Sequence, residues 1–314
     1  MRDTVIRELI SLAKENPNVE LITGDLGFGV LKPYWESVPD QFINAGITEQ
    51  NLTSAAAGMA MEGKTVFTYS IGNFPTLRCL EQIRNDCAYH KLNVNIICVG
   101  GGYVYGALGV SHHATEDIAC LRALPGVSVI CPGDPIEAKF ALRAIAAYEG
   151  TCYLRLGRGG EKRINTALTD FTIGKAYKIR DAKPLGKTAA VFSTGTILEE
   201  VSSACDMLET RGVGTEQYSF PTVKPIDKEV IADCAKRFDH IFTVEEHNII
   251  GGFGSAVAEV LSELGERVKL HRLGINDFYC AEVGTQAYLR DCVGISAEKI
   301  AQTVEATVYS IRNS

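Results

Sequence analysis

A glutamate at the head of a helix of small residues is the most chemically suggestive feature of this sequence. In NAGITEQNLTSAAAGMAMEG, Asn44 to Gly63, Glu49 is followed by Ala55, Ala56, Ala57, Gly58 and Ala60. Such a face has little side-chain bulk, so another backbone or a bound ligand can come close. A carboxyl group buried there among apolar groups has its neutral form favoured and can hand over a proton near neutral pH. The plainer alternative is a first-turn Glu stabilised by the helix macrodipole. A second stretch, GGFGSAVAE (251–259), looks like a Gly-rich phosphate loop entering a helix. It lacks the Walker lysine and a complete GxGxxG, so close packing is the better reading.

The elements that must position such residues follow a βα rhythm. Apolar positions at helical spacing predict a helix over 2–15, followed by strands at 19–25, 65–70, 93–100, 127–133 and 151–156. Helices are expected between them at 48–61, 76–89, 115–123 and 134–149. Strands alternating with helices imply an α/β fold with a parallel, doubly wound sheet. Ligands bind such sheets at the carboxyl ends of the strands, where the loops after Gly24, Ser70, Gly100 and Leu156 would gather. Charge rises and periodicity fades through 159–187, as in an interdomain connection with one short hairpin. The pattern then resumes, with strands at 188–195, 213–220, 240–246 and 268–274 and helices at 196–210, 227–236, 252–264 and 296–311. Two doubly wound domains result, residues 1–163 and a smaller one over 187–314, joined by a linker at 164–186.

Composition agrees with two globular domains: 314 residues, 46% hydrophobic and 22% charged. The net charge of −7 is spread along the chain, so neither nucleic acid nor an anionic membrane is an expected partner. There is no apolar run of about 18 residues, and the N-terminal stretch reads as an amphipathic helix, so a cytoplasmic protein is expected. The 10 cysteines show no CxxC pair and no metal-ligand spacing, which favours reduced, buried thiols.

The order FINAGITEQN, AAGMAMEGKTVF, EQIRNDCAYHKLNVNI, SHHATEDIACLRALPGVSVICPGDPIEAK and YLRLGRG resembles the pyrimidine-binding domain of the transketolase family of thiamine diphosphate enzymes. The resemblance runs from about residue 1 to 163, and the remainder resembles the family's C-terminal domain. It implies that Glu49 hydrogen-bonds N1' of the cofactor's aminopyrimidine, on which Phe74 stacks beside an aliphatic Ile71. It implies that His112 faces the reacting carbon and moves protons at a substrate oxygen, with His113 as its exposed neighbour. Arg158 is implied as an anchor for a terminal phosphate, with Arg155 sharing the task. Asp25 falls in a loop that the family uses near the dimer contact, although a turn aspartate after a strand is commonplace.

Two departures shape the functional expectation. Where transketolases carry Gly-Glu-Asp-Gly, this chain has Gly106-Ala107-Leu108-Gly109, and Gly100-Gly101-Gly102 stands where a phosphate-binding histidine is usual. The Gly-Asp-Gly run followed by Asn that holds the diphosphate and Mg²⁺ is also missing. The resemblance therefore implies the C-terminal subunit of a two-component enzyme, with a separate N-terminal subunit holding diphosphate and Mg²⁺ in an α2β2 assembly. The implied reaction moves a two-carbon ketol or acyl unit from a ketose-type, sugar phosphate donor to an aldehyde. Alternatives are a 1-deoxyxylulose-5-phosphate-synthase-like decarboxylative transferase, the β subunit of a 2-oxoacid dehydrogenase E1, and a non-catalytic scaffold subunit.

Overall fold

A computed structural model describes residues 1–310 and shows two mainly parallel sheets flanked by helices. The chain opens with α1 (Arg2–Glu15), whose Val5, Ile6, Leu9 and Ala13 face inward at helical spacing. The fully buried strand β1 (Val19–Thr23) follows. Next come α2 (Phe28–Ser37), β2 (Phe42–Asn44), α3 (Glu49–Met61) and β3 (Thr65–Ile71). The helix expected over 76–89 is a composite of a 3-10 turn at Leu77–Cys79, one α turn, α4 (Leu80–Gln82), and a π turn at Ile83–Ala88. Such interruptions are rare and concentrate at functional sites. Strand β4 (Val94–Val99), α5 (Asp117–Ala123), β5 (Val127–Ile130), α6 (Pro135–Ala146) and β6 (Thr151–Leu156) complete the first run.

The connection contributes a single strand, β7 (Tyr177–Arg180), and not the expected hairpin. It pairs antiparallel with the later strand β9 (Val213–Ser219) and so covers an edge that would otherwise present unpaired backbone groups. Between them lie β8 (Lys187–Thr194) and α7 (Leu198–Thr210). The short β10 (Thr222–Lys224), α8 (Lys228–Arg237), β11 (His240–Asn248), α9 (Phe253–Leu264), β12 (Lys269–Ile275), α10 (Gln286–Cys292) and α11 (Ala297–Tyr309) finish the chain. Residue 311 of the final expected helix lies outside the described residues.

The first sheet has the order β10-β5-β6-β4-β3-β1-β2 and the second β12-β11-β8-β9-β7. Strand β10 crosses from the second run to pair antiparallel with β5, Thr222 beside Ile130 and Lys224 beside Val129. Apolar packing follows it across: Val129, Cys131, Val223, Phe220, Phe192 and Phe253 belong to one buried cluster, with ring centroids 4.8 Å apart for Phe192 and Phe220.

Two N-cap aspartates pin the connection. Asp134 accepts from the Ile136 and Glu137 amides at the head of α6, while its other oxygen accepts from the Ile164 and Asn165 amides at 2.7 and 2.8 Å. Asp227 caps α8 and accepts from the Ala176 amide at 3.0 Å. The first cap therefore also fixes the start of the connection and the second the residue that enters β7.

Beside the first cap, Glu137 is wholly buried and accepts from the Gly133 amide, the Asn165 side chain and the Ser219 hydroxyl on β9. Burial pushes its carboxyl up from 4.5 to about 7, against the opposing effect of those hydrogen bonds. A carboxyl raised in this way binds more protons folded than unfolded between those two values. Its contribution to stability is therefore present in acid and fades as pH rises towards neutrality. Glu137→Gln removes that titration, so the variant should gain in melting temperature relative to the wild type between about pH 5 and pH 8. A constant difference across that range would show that Glu137 does not change charge there.

Candidate functional site

The carboxyl ends of β1, β3, β4 and β6 lie next to one another in the first sheet, and four loops meet above them. Glu49, the first residue of α3, is 4% exposed. Its Oε2 accepts from Arg78 Nη1 at 2.8 Å, and the guanidinium carbon of Arg78 lies 4.5 Å from the centroid of the Phe74 ring. One flat cation therefore touches both the buried carboxylate and the face of the aromatic ring.

Phe74 meets His112 edge-on, with centroids 5.3 Å apart. His112 in turn lies 6.4 Å from Tyr105, and the exposed Arg158 guanidinium stands 5.8 Å from the Tyr105 ring. The structure thus brings Glu49, Phe74, His112 and Arg158 into one continuous row, with Arg78 and Tyr105 as the members that sequence reading missed. His112 is held from two sides. Ser111 Oγ is 3.0 Å from its Nδ1, and a Cβ at Gly72 would lie 3.0 Å from its carbonyl oxygen. The half-buried Ile71 ends β3 beside Tyr105.

Two expectations are corrected. His113 is not the exposed neighbour of His112: it is 2% exposed, packs edge-on against Tyr103 at 5.0 Å and offers its carbonyl to the Asn73 side chain. Arg155 does not stand beside Arg158. Successive strand residues alternate in direction, and Arg155 is buried under the loops, with Nε 2.7 Å from Asp117 and Nη2 on the carbonyls of Ala114 and Glu246. Burial alone would raise the Asp117 carboxyl, but Arg155 beside it holds it below the usual carboxylate range. Asp25 lies on the neighbouring β1 loop with a left-handed backbone (φ 56°) and exchanges two 3.0 Å hydrogen bonds with Asn44. It steadies the approach to α3 and faces solvent.

The glycine run at 100–102 has a steric explanation. A Cβ at Gly100 would collide with the Tyr105 ring, one at Gly101 would lie 2.7 Å from the Arg155 guanidinium, and one at Gly102 would lie 2.6 Å from the Glu246 carboxyl carbon. Three consecutive positions are thus kept bare so that an aromatic ring, a buried cation and a buried anion can each reach the backbone. That run was the available signal for Tyr105. The GGFGSAVAE segment is likewise occupied from within, since Glu245 accepts from the Phe253 and Gly254 amides at the head of α9. Beside the row opens a cavity of about 540 Å³ between Tyr105, Ala107, Leu108 and Arg158 of the first domain and Gly284 to Gln286 of the second. Among the described residues, no three His, Cys, Asp or Glu side chains converge as a metal site.

Gly100 also has φ +107°, a region that L residues rarely occupy. Gly100→Ala should cost on the order of 1–3 kcal/mol of backbone strain and displace Tyr105, lowering the melting temperature by several degrees. Thermal unfolding by circular dichroism checks this, and a wild-type midpoint would remove Tyr105 from the proposed close packing.

Comparison with known proteins places this geometry. Residues 1–160 match the transketolase pyrimidine-binding domain and residues 178–300 the transketolase C-terminal domain. The chain is 38% identical to a putative transketolase C-terminal section of Methanocaldococcus jannaschii, over 97% of this chain and 95% of that protein. It is 32% identical to a 6-deoxy-6-sulfo-D-fructose transketolase subunit of Clostridium sp., over 96% and 92%. Among solved structures, one described as a split gene transketolase, inactive β4 tetramer, superposes with a TM-score of 0.86 at 32% identity, covering 98% of this chain and 97% of that one. This chain belongs to the transketolase family of thiamine diphosphate-dependent transferases, carrying its pyrimidine-binding and C-terminal domains in that order.

Proposed function

We propose that this chain is the C-terminal subunit of a two-component transketolase-like enzyme that moves a two-carbon ketol or related acyl unit from a ketose-type donor to an aldehyde. A separate N-terminal subunit holds the diphosphate and Mg²⁺. The observation that carries the reading is the pair of contacts made by Arg78. A flat, nitrogen-bearing group that hydrogen-bonds Glu49 and lies on Phe74 already has its place in the fold, and an aminopyrimidine has the shape and donors to take it. Its binding requires Arg78 to turn aside. The names of relatives with which the chain is aligned almost end to end, a C-terminal section and a subunit, support the division between two chains. The β4 tetramer described for the structural neighbour supports self-association towards α2β2. Ten cysteines without disulfides support a reducing, cytoplasmic setting.

Thiamine diphosphate, once bound, would supply a nucleophilic carbon for the transfer. Glu49 would hold or return a proton at a nitrogen of the bound pyrimidine, from a buried position that excludes water. Phe74 fixes the plane of that ring. His112, held by Ser111 and wedged against Phe74, reaches the substrate oxygen and moves its proton. Arg158 receives the anionic end of the substrate at the mouth of the cavity.

Reconstitution with the separately encoded partner tests the assignment. The isolated chain should bind thiamine diphosphate weakly in calorimetric titration, and tight binding without a partner would sink the two-component reading. In the complex, Glu49→Gln should assemble normally yet lose far more than tenfold in turnover, since a loss within tenfold is worth less than about 1.4 kcal/mol.

The cavity wall predicts the donor. Ala107 and the 56% exposed Leu108 present no carboxylate to a sugar hydroxyl. Selectivity for a hydroxyl comes from the penalty of leaving a buried partner unpaired, and that penalty is absent here. Xylulose 5-phosphate should therefore rank below a deoxy or otherwise modified ketose or a 2-oxoacid when kcat/KM values are compared with one acceptor. A panel headed by xylulose 5-phosphate would show that Ala107 and Leu108 do not set donor choice.

A further inference from the structure

The loop from Gly102 to Ala114 carries both Tyr105 and His112, and its two ends are tied together. Gly102 and Ala114 exchange backbone hydrogen bonds of 2.8 and 3.0 Å, closing it at its base. Nothing in the loop's own sequence fixes how that closed unit is oriented over the sheet. From the first domain, Asn73 and Arg155 hold the carbonyls of His113 and Ala114 at the loop's far end, and the anchors at its start come from the second domain. On β11, Glu246 is 1% exposed and sends its carboxylate under the loop, where Oε1 accepts from the Tyr103 amide at 2.8 Å. The same carboxylate takes Gln286 Nε2 at 3.1 and 2.9 Å and Arg290 Nε and Nη2 at 3.1 and 2.6 Å. Arg290 is itself buried and reaches Thr196 Oγ1 at 3.1 Å.

We propose that Glu246 is a positioning residue for His112 and Tyr105, through which the second domain sets the 102–114 loop of the first. The assignment rests on the functional reading given above for those two residues. Glu246 joins three things that must keep register: the start of the loop, the head of α10 that forms one wall of the cavity, and the strand end of β11. Two further bonds run along the same seam, from the Asn248 amide to the Thr115 carbonyl at 2.9 Å and from the Gly284 amide to the Gly106 carbonyl at 3.4 Å. A side chain that carries charge, is buried and meets at least three separate donors is a costly arrangement unless all of them are satisfied together. Its bond to the Tyr103 amide needs the bare Gly102, since a Cβ there would lie 2.6 Å from the carboxyl carbon. Glu246 thereby lets the second domain act on the chemistry of the first without itself lining the cavity.

Glu246→Gln tests this. The amide has one acceptor oxygen where the carboxylate has two, and its NH₂ faces the donors of Arg290 and Gln286. Amide hydrogen exchange is measured in the full chain, and kcat and KM in the complex reconstituted with the partner subunit. The melting temperature should fall modestly. Exchange over 103–114 should quicken by about tenfold or more while β8 and β9 keep wild-type rates. Turnover should drop by about tenfold or more with KM for the aldehyde changed by less than about threefold. Wild-type exchange in the loop, or faster exchange with kcat within about twofold, would overturn the proposal. Should Glu246→Gln fail to fold, Gln286→Leu removes one donor and leaves the Arg290 pair. It should move both readouts in the same direction by a smaller factor, and no movement of either would overturn the proposal. A wild-type complex with no ketol transfer would instead remove the functional reading, while the exchange measurement still decides whether Glu246 sets the loop.

Discussion

The ion pair between Arg155 and Asp117 is the contact on which the site depends. Both side chains are almost wholly buried, and the guanidinium binds a carboxylate from the head of α5, a carbonyl at the base of the 102–114 loop and a carbonyl on β11. Asp117 also accepts from the buried Tyr153 hydroxyl on β6. One cation thus fastens three segments at the junction of the two sheets. Removing one partner of such a pair leaves an uncompensated buried charge, typically costing about 3–5 kcal/mol. Around it His247 stays neutral, because burial lowers its imidazole to about 4. Its Nε2 accepts from the Ala119 amide and its Nδ1 lies 2.7 Å from the Asn248 carbonyl. Arg155, Asp117, Tyr153 and His247 thus form a polar lattice of shared hydrogen bonds, so the junction favours one geometry over many.

Local patterning made much of this legible. Buried parallel strands are short runs of apolar residues, and VELIT, VNIICV and TCYLRL fall into place because no other element suits them. The segments that were misread answer to tertiary demands. Strand β7 exists because β9 needs a neighbour, and β10 because β5 does; neither has a strong pattern of its own. The helix at 77–88 changes character midway, although its residues have ordinary helical spacing.

The site divides in the same way. Glu49 could be singled out because a helix start and a run of small residues are local facts. Arg78 could not, since an arginine 29 positions away becomes meaningful only when the chain folds it against both Glu49 and Phe74. His113 was assigned the wrong environment because it follows the short 3-10 turn that ends at His112 and can face the opposite way, and packing with Tyr103 is what buries it. Arg155 and Arg158 share one short segment, yet the strand carries the first inward and releases the second into the loop. Composition is silent about that choice.

The crossing of β10 into the first sheet bears on how such a chain can be divided in evolution. Strand β10 comes from the second run, yet it is β10 that shields the β5 edge of the first. Severing the chain in the connection between the domains would leave a first fragment with a bare parallel edge and a second fragment with an orphaned strand, and exposed edges recruit unintended neighbours. A gene boundary, or a recombination point, is therefore tolerable outside this pair of domains and penalised between them. Carrying both domains on one chain keeps that edge covered.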